Sequence, residues 1–315
     1  MKQYNFLKQF ITALIILIFL LCNLYAEENP GNNNIEQNNN AQASGKKSYT
    51  ADYILFGSVP VIVLGWGIGA WGWGTASEWQ VNNDGWGLEQ DSYTGGADKL
   101  GHTWGIYAIS RIGSYAFEKS GDSKKWAAFK GFLFGQMMGL GIEIGDGFGD
   151  TYGYSWGDMI WNFGGGLFAM VLDMYPSLDR LIGFQIEYWP SKDHRNQRSE
   201  KWIEVTSDVT GQKFILALKL DGVPFVQDTI AKYFQIDFGY YTRGYWFSHS
   251  SYRYKTRHAY IGFAFNLSTI SEGILPEGSW RNAFSSFFKY YHPPIAYNPD
   301  CLDHTFAGKT PSKQD

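Results

Sequence analysis

Residues 124–147 read KKWAAFKGFLFGQMMGLGIEIGDG. Two lysines open the run, mostly apolar and small residues with Lys130 and Gln136 among them fill it without a proline, and Glu143 and Asp146 close it. The pattern predicts a helix over Lys124–Ile144. Gly131, Gly135 and Gly139 recur every four residues, which places a smooth stripe on one side of that helix where another helix can approach closely. Three further helices are read on either side of it: Tyr53–Ser77, Ala97–Phe117 and Trp156–Tyr175. The first carries no charge and is long enough to cross a bilayer, although Pro60, Gly65, Gly67 and Gly69 interrupt it. The expected architecture is α+β: a hydrophobic bundle of about four helices, followed by an antiparallel, aromatic-rich β-sheet or half-barrel.

An up-down bundle with short loops brings the start of one helix, the end of the next and the start of the one after to the same end. Here those positions are polar. Gly96-Ala97-Asp98-Lys99-Leu100-Gly101-His102 puts Asp98 and His102 one turn apart on one face. Glu143 and Asp146 end the next helix, and Ser155 and Asp158, with Asn162 a turn later, open the last. Asp98, His102, Glu143, Asp146, Asp158 and Asn162 are therefore expected to converge in one layer, lined by Trp104, Trp156 and Trp161. Buried in an apolar bundle, such a set must be paired, as a structural network or as a site.

Both readings stay open at this stage. Ser155 and Asp158 fit a capping box, Asp98 suits a helix N-cap, and Lys99 can pair with Glu143 or Asp146. As chemistry, one imidazole among carboxylates makes His102, Asp98 and Asp158 the catalytic candidates, with His102 as base. The same logic makes His102, Glu143, Asp146 and Asp158 candidate ligands for a divalent metal ion of the Zn, Mn or Mg type.

Composition narrows the setting. The chain has 315 residues, of which 18% are charged and 18% aromatic, with 37 Gly and 13 Trp. A mean hydropathy of −0.27 excludes a chain made mainly of greasy spans. A net charge of −4 argues against nucleic acid as a partner, and two cysteines, Cys22 and Cys301, exclude a disulfide framework or a cysteine zinc cluster. Lys2 and Lys8 precede the apolar run Ile11–Leu21, and Ala26 offers a cleavage point, so residues 1–26 read as a signal peptide. An uncleaved anchor, or lipid attachment at Cys22 after Leu21, is the alternative. Residues 27–50 are rich in Asn and Gln and read as a disordered tether. The bundle then occupies 51–180, the β region 181–270, and a short amphipathic helix with a disordered tail 271–315. Acidic residues between the first two helices, against lysines between the second and third, oppose simple threading of the inner membrane.

In the β region, Phe184–Trp189, Trp202–Thr206 and Phe214–Leu220 are short strand runs. Phe234, Ile236, Phe238 and Tyr240 alternate with smaller or polar partners, and so do Tyr252 with Tyr254 and Ile261 through Leu267. These runs are like outer-membrane strands in length and aromatic content, but six are too few to close a barrel. Arg243, Arg253, Lys255 and Arg257, with His258, are read as one basic, Tyr-rich strip and as candidates for lipid headgroups.

Asp98-Lys99-Leu100-Gly101-His102, Gly141 to Phe148, and Tyr152-Gly153-Tyr154-Ser155-Trp156-Gly157-Asp158 with Asn162 resemble the YfiM-type predicted periplasmic lipoproteins, a family of unknown function. A more distant likeness is to the VanZ-like membrane proteins. The resemblance is strongest over 90–175 and continues through Thr210-Gly211-Gln212-Lys213 and Gly239 to Tyr245. It implies an envelope location and no established activity; Leu21 before Cys22 departs from a lipid-attachment site. The expectation is an exported protein, periplasmic or outer-membrane associated. Its partners are membrane lipid or envelope components, and its role is structural or lipid-binding. The alternative is an envelope hydrolase or transferase using the His/Asp/Glu set.

Overall fold

The computed structural model describes residues 49–82, 85–89, 92–150, 152–196, 208–245, 252, 254–294 and 302–311. Helix α1 spans Tyr49–Trp66 and winds into a wider turn over Gly67–Trp71. It stops earlier than its apolar composition suggests because Gly72 turns left-handed (φ 71°) and sends its N–H back to the Gly67 carbonyl. The other three helices fall where they are expected: α2 Ala97–Lys119, α3 Lys124–Asp146 and α4 Trp156–Met174. The glycine stripe of α3 does what its spacing predicts. A Cβ on Gly131 would stand 2.4 Å from the Ser110 carbonyl oxygen of α2, so the two backbones touch there.

Helix α3 packs on α1, α2 and α4, and α2 packs on α4 and touches α1. One core joins Val59, Val63 and Trp73 to Ile106, Phe117, Phe134 and Met138. A short helix, α5 (Pro176–Leu181), leads into the second layer.

That layer is a five-stranded antiparallel sheet in sequence order: β1 Ile182–Tyr188, β2 Gln212–Lys219, β3 Phe234–Arg243, β4 Tyr254–Phe265 and β5 Leu302–Pro311. A five-residue helix α6 (Lys192–Asn196) follows β1, and α7 (Leu267–Ile274) and α8 (Ser279–Phe288) follow β4. Beyond α8, Tyr291 bridges in parallel to Ile186 on the free edge of β1. The runs around Tyr254 and Ile261 are one continuous strand, while Trp202–Thr206 lies outside the described residues. The tail, expected to be disordered, forms β5 instead. The edge of β4 carries open backbone donors and acceptors that a polar segment can pair with, and composition does not reveal such an edge.

The sheet's two faces are unusual. Phe184, Ile186 and Phe214 pack against Ala97, Tyr107 and Leu172 of the bundle. The pairings Phe184↔Leu216, Leu216↔Phe238 and Phe238↔Ile261 continue that same face, and there Leu216, Phe238, Ile261, Phe263 and Phe265 are exposed. The opposite face is buried and mixed: Ile215, Ala217, Tyr241 and Tyr260 form a small apolar cluster on it beside Gln185, Glu187, Gln235 and Asp237, and the buried His292 stands 3.5 Å from both Glu187 and Asp237.

Candidate polar site

The six polar side chains meet, as expected, at one end of the bundle. Gly96 (φ 86°) lets the chain turn into α2, so Asp98 falls in the first helical turn. Asp98 is not the cap itself; its N–H points to Thr94 Oγ1 at 3.3 Å. Ser155 is a true N-cap, accepting from the Asp158 N–H at 3.2 Å, and its own N–H donates to Glu143 Oε2 at 3.0 Å. This pair ties the last turn of α3 to the first turn of α4.

His102 lies at the centre. Its Nδ1 is 3.2 Å from Asn162 Oδ1 and 3.4 Å from Glu143 Oε1. Its Nε2 is 3.7 Å from Asp98 Oδ1 and 3.9 Å from Asp158 Oδ2. Lys99, almost fully buried, pairs with Asp158 at 2.8 Å and lies 3.6 Å from Asp98. It does not reach for Glu143 or Asp146, because its stem runs beside Gly157, at the start of α4. Asp146 instead accepts from the Trp73 indole at 2.7 Å.

Burial on its own would lower the His102 pKa, but Asp158, Asp98, Glu143 and Asp146 together outweigh it and push the imidazole up to about 10. Burial raises Glu143 to about 8, above the opposing pull of His102. Burial likewise raises Asp146 to about 6 against the Trp73 hydrogen bond. Asp158 goes the other way: its burial is overcome by His102 and Lys99, which hold it below the ordinary carboxylate range. Glu143 Oε1 and Asn162 Nδ2 are buried with no hydrogen-bond partner among the described residues.

The aromatic lining differs from expectation. Trp156 is exposed, Trp104 turns to the Tyr290 carbonyl beside the sheet, and Trp161 donates to the Trp86 carbonyl. Trp73, which sequence spacing does not single out, supplies the indole at the polar layer; the turn at Gly67–Trp71 brings it there. The basic strip is also divided. Arg243 pairs across the sheet with Thr256, so it lies on the opposite face from Lys255 and Arg257. Arg243 donates to the Thr210 carbonyl and stacks on Tyr241, and Arg257 donates to the Leu88 carbonyl. Lys255 lies over the Tyr245 ring, and Arg253 is outside the described residues.

Residues 83–174 match the family model described as predicted periplasmic lipoprotein, DUF2279. The matched stretch contains α2 to α4 and all six polar side chains, so the family's shared segment is the one that carries the site. The match agrees with the exported, periplasmic location that the N-terminus predicts. No curated protein and no solved structure matches the chain, and the VanZ-like likeness is not among the matches.

Proposed function

We propose that this protein is a membrane-seated component of the cell envelope that binds lipid through its own folded surface. The observation that supports this is that both layers bury charged groups beside their hydrophobic cores while leaving rows of large apolar side chains exposed. Lys99, Arg111, Lys130, Glu143 and Asp158 are buried in the bundle, and Glu187 and Asp237 behind the sheet. Outside, α3 shows an exposed row of Trp126, Leu133, Met137, Leu140 and Ile144, and α4 shows Trp156, Ile160, Phe163 and Leu167. These spacings of three, four and seven residues trace one stripe on each helix. Beside them, α1 exposes Val61 and Leu64 and the wide turn after it exposes Ile68, and only 17% of the apolar window Asp52–Gly69 is buried.

Soluble monomers rarely leave contiguous apolar surface of this kind in water, whereas hydrocarbon is a good solvent for it. Lys124 and Lys125 flank the row beside Trp126, an arrangement suited to anionic headgroups at a membrane interface. The test is extraction of envelope membranes with alkaline carbonate, for the wild type and for Cys22→Ser. Both are expected to stay with the membrane until detergent is added. Clean release of Cys22→Ser as a monodisperse soluble protein would mean that a lipid anchor, not the folded surface, holds it.

A second reading, an envelope hydrolase or transferase, is favoured by the partly exposed edge where His102 faces Asp98 and Asp158. Its test is turnover of a lipid-linked phosphate ester by the wild type against Asp98→Asn. Equal rates in the two would remove it.

A further inference from the structure

We propose that His102 Nε2, Asp98 and Asp158 form a binding site for one first-row divalent cation such as Zn2+ or Mn2+, with Glu143 and Asn162 fixing the imidazole from behind. This inference is independent of the membrane reading. One ligand atom from each of Asp98, His102 and Asp158 falls within a group whose members are all within 4.8 Å of one another.

The two ring nitrogens face different surroundings. Nδ1 meets Asn162 Oδ1, an acceptor, and Glu143 Oε1, an acceptor once that carboxyl is ionised, so a neutral imidazole places its one proton there. Nε2 then turns a lone pair toward two carboxylate oxygens, at 3.7 and 3.9 Å. Three lone pairs directed at one another repel unless a positive charge stands between them, either a proton on Nε2 or a metal cation that replaces it. Metal–ligand distances of about 2.1 Å in a tetrahedral site set ligand atoms about 3.4 Å apart, so the two edges at Nε2 close with shifts of a few tenths of an ångström.

The surroundings fit the same assignment. A metal-bound histidine characteristically donates its other N–H to a carboxylate or an amide oxygen, and here both are present. Glu143 is itself held by the Ser155 N–H, and its remaining oxygen, buried and without a hydrogen-bond partner among the described residues, points at Nδ1. Lys99 pairs with Asp158 Oδ1, and Oδ2 is the oxygen that lies toward His102 Nε2. Asp98 and His102 are 30% and 18% exposed, which gives the ion a way in and leaves room for a further ligand such as water. One imidazole nitrogen with two carboxylate oxygens suits Zn2+ or Mn2+ better than Ca2+, which prefers oxygen alone.

The experiment is calorimetric titration of the chelator-stripped, detergent-solubilised full chain with Zn2+ and with Mn2+, followed by X-ray absorption of the loaded protein. One equivalent is expected to bind, with one imidazole nitrogen and carboxylate oxygens in the coordination shell. Asp98→Asn should bind at least about 10-fold more weakly, and Asn162→Ala about 10–100-fold more weakly, through loss of the imidazole's orienting partner. Asp221→Asn, outside the cluster, should bind like the wild type. Absence of binding, a shell without imidazole nitrogen, or equal affinity in Asp98→Asn and the wild type would overturn the site and leave His102 as an imidazolium in a purely structural ion network.

Discussion

Trp73 and Asp146 are joined by a 2.7 Å hydrogen bond from the indole N–H to the carboxylate, and this bond links the turn after α1 to the polar end of the bundle. The ring also lies flat against Gly145, where a Cβ would come within 2.3 Å of it. Trp73→Phe keeps an aromatic ring but removes the donor. A buried carboxyl left short of a partner costs about 1–3 kcal/mol, so the variant should unfold at lower denaturant by that amount. The hydrogen bond also opposes the burial that raises Asp146 to about 6. Its loss should move the Asp146 titration upward, measured by carboxyl NMR; an unchanged titration would show that the indole does not hold the group.

The cluster should make the metal-free protein sensitive to alkali. Glu143 in the folded protein titrates near 8, above its unfolded value of 4.5, so the folded state keeps a proton that the unfolded state releases. The stability this contributes is complete below about pH 4.5 and is lost as pH rises through 8. His102 behaves alike, its contribution complete below 6.5 and lost as pH rises through 10. Lys219, lowered to about 8 by burial, works in the opposite direction, but only between 8 and 10.5. Thermal melts should therefore fall between pH 5 and 8, and Glu143→Gln should flatten that part of the profile while raising stability at pH 8. A parallel decline in the variant would assign the sensitivity to other groups.

How much of this was legible before the structure depended on whether the information is local. The start of α4 is marked by its Ser155 cap, and the start of α2 and the end of α3 by glycine and charge, and short loops then dictate that Asp98, Glu143 and Asp158 share one end. What spacing cannot convey is which partner a buried charge selects. Lys99 chooses Asp158 because the close approach of Gly157 opens that path, and Trp73 reaches Asp146 only through the wide turn ahead of it. The basic strip is split between two faces for a related reason. Alternation within a strand is visible in sequence, but the register of β3 on β4, which sets Arg243 against Thr256, is a property of the pair.

Two glycines in the same bundle should respond oppositely to alanine. A Cβ at Gly131 would meet the Ser110 carbonyl at 2.4 Å and the Ser114 backbone nitrogen at 2.6 Å, atoms of a neighbouring helix that cannot swing aside. Gly131→Ala must push α2 and α3 apart, at a cost of about 1–3 kcal/mol for overpacking. The same movement would shift His102 and Glu143, which sit on those two helices, so the variant should also weaken cation binding. Gly164 on α4 has nothing within 4 Å of its missing Cβ. Gly164→Ala gains helix propensity without a clash and should stabilise by about 0.5–1 kcal/mol. Chemical denaturation of both variants in detergent decides the matter: destabilisation by Gly164→Ala as large as that by Gly131→Ala would mean that the α4 surface, like the α2–α3 seam, is closed by a packed partner and not by lipid.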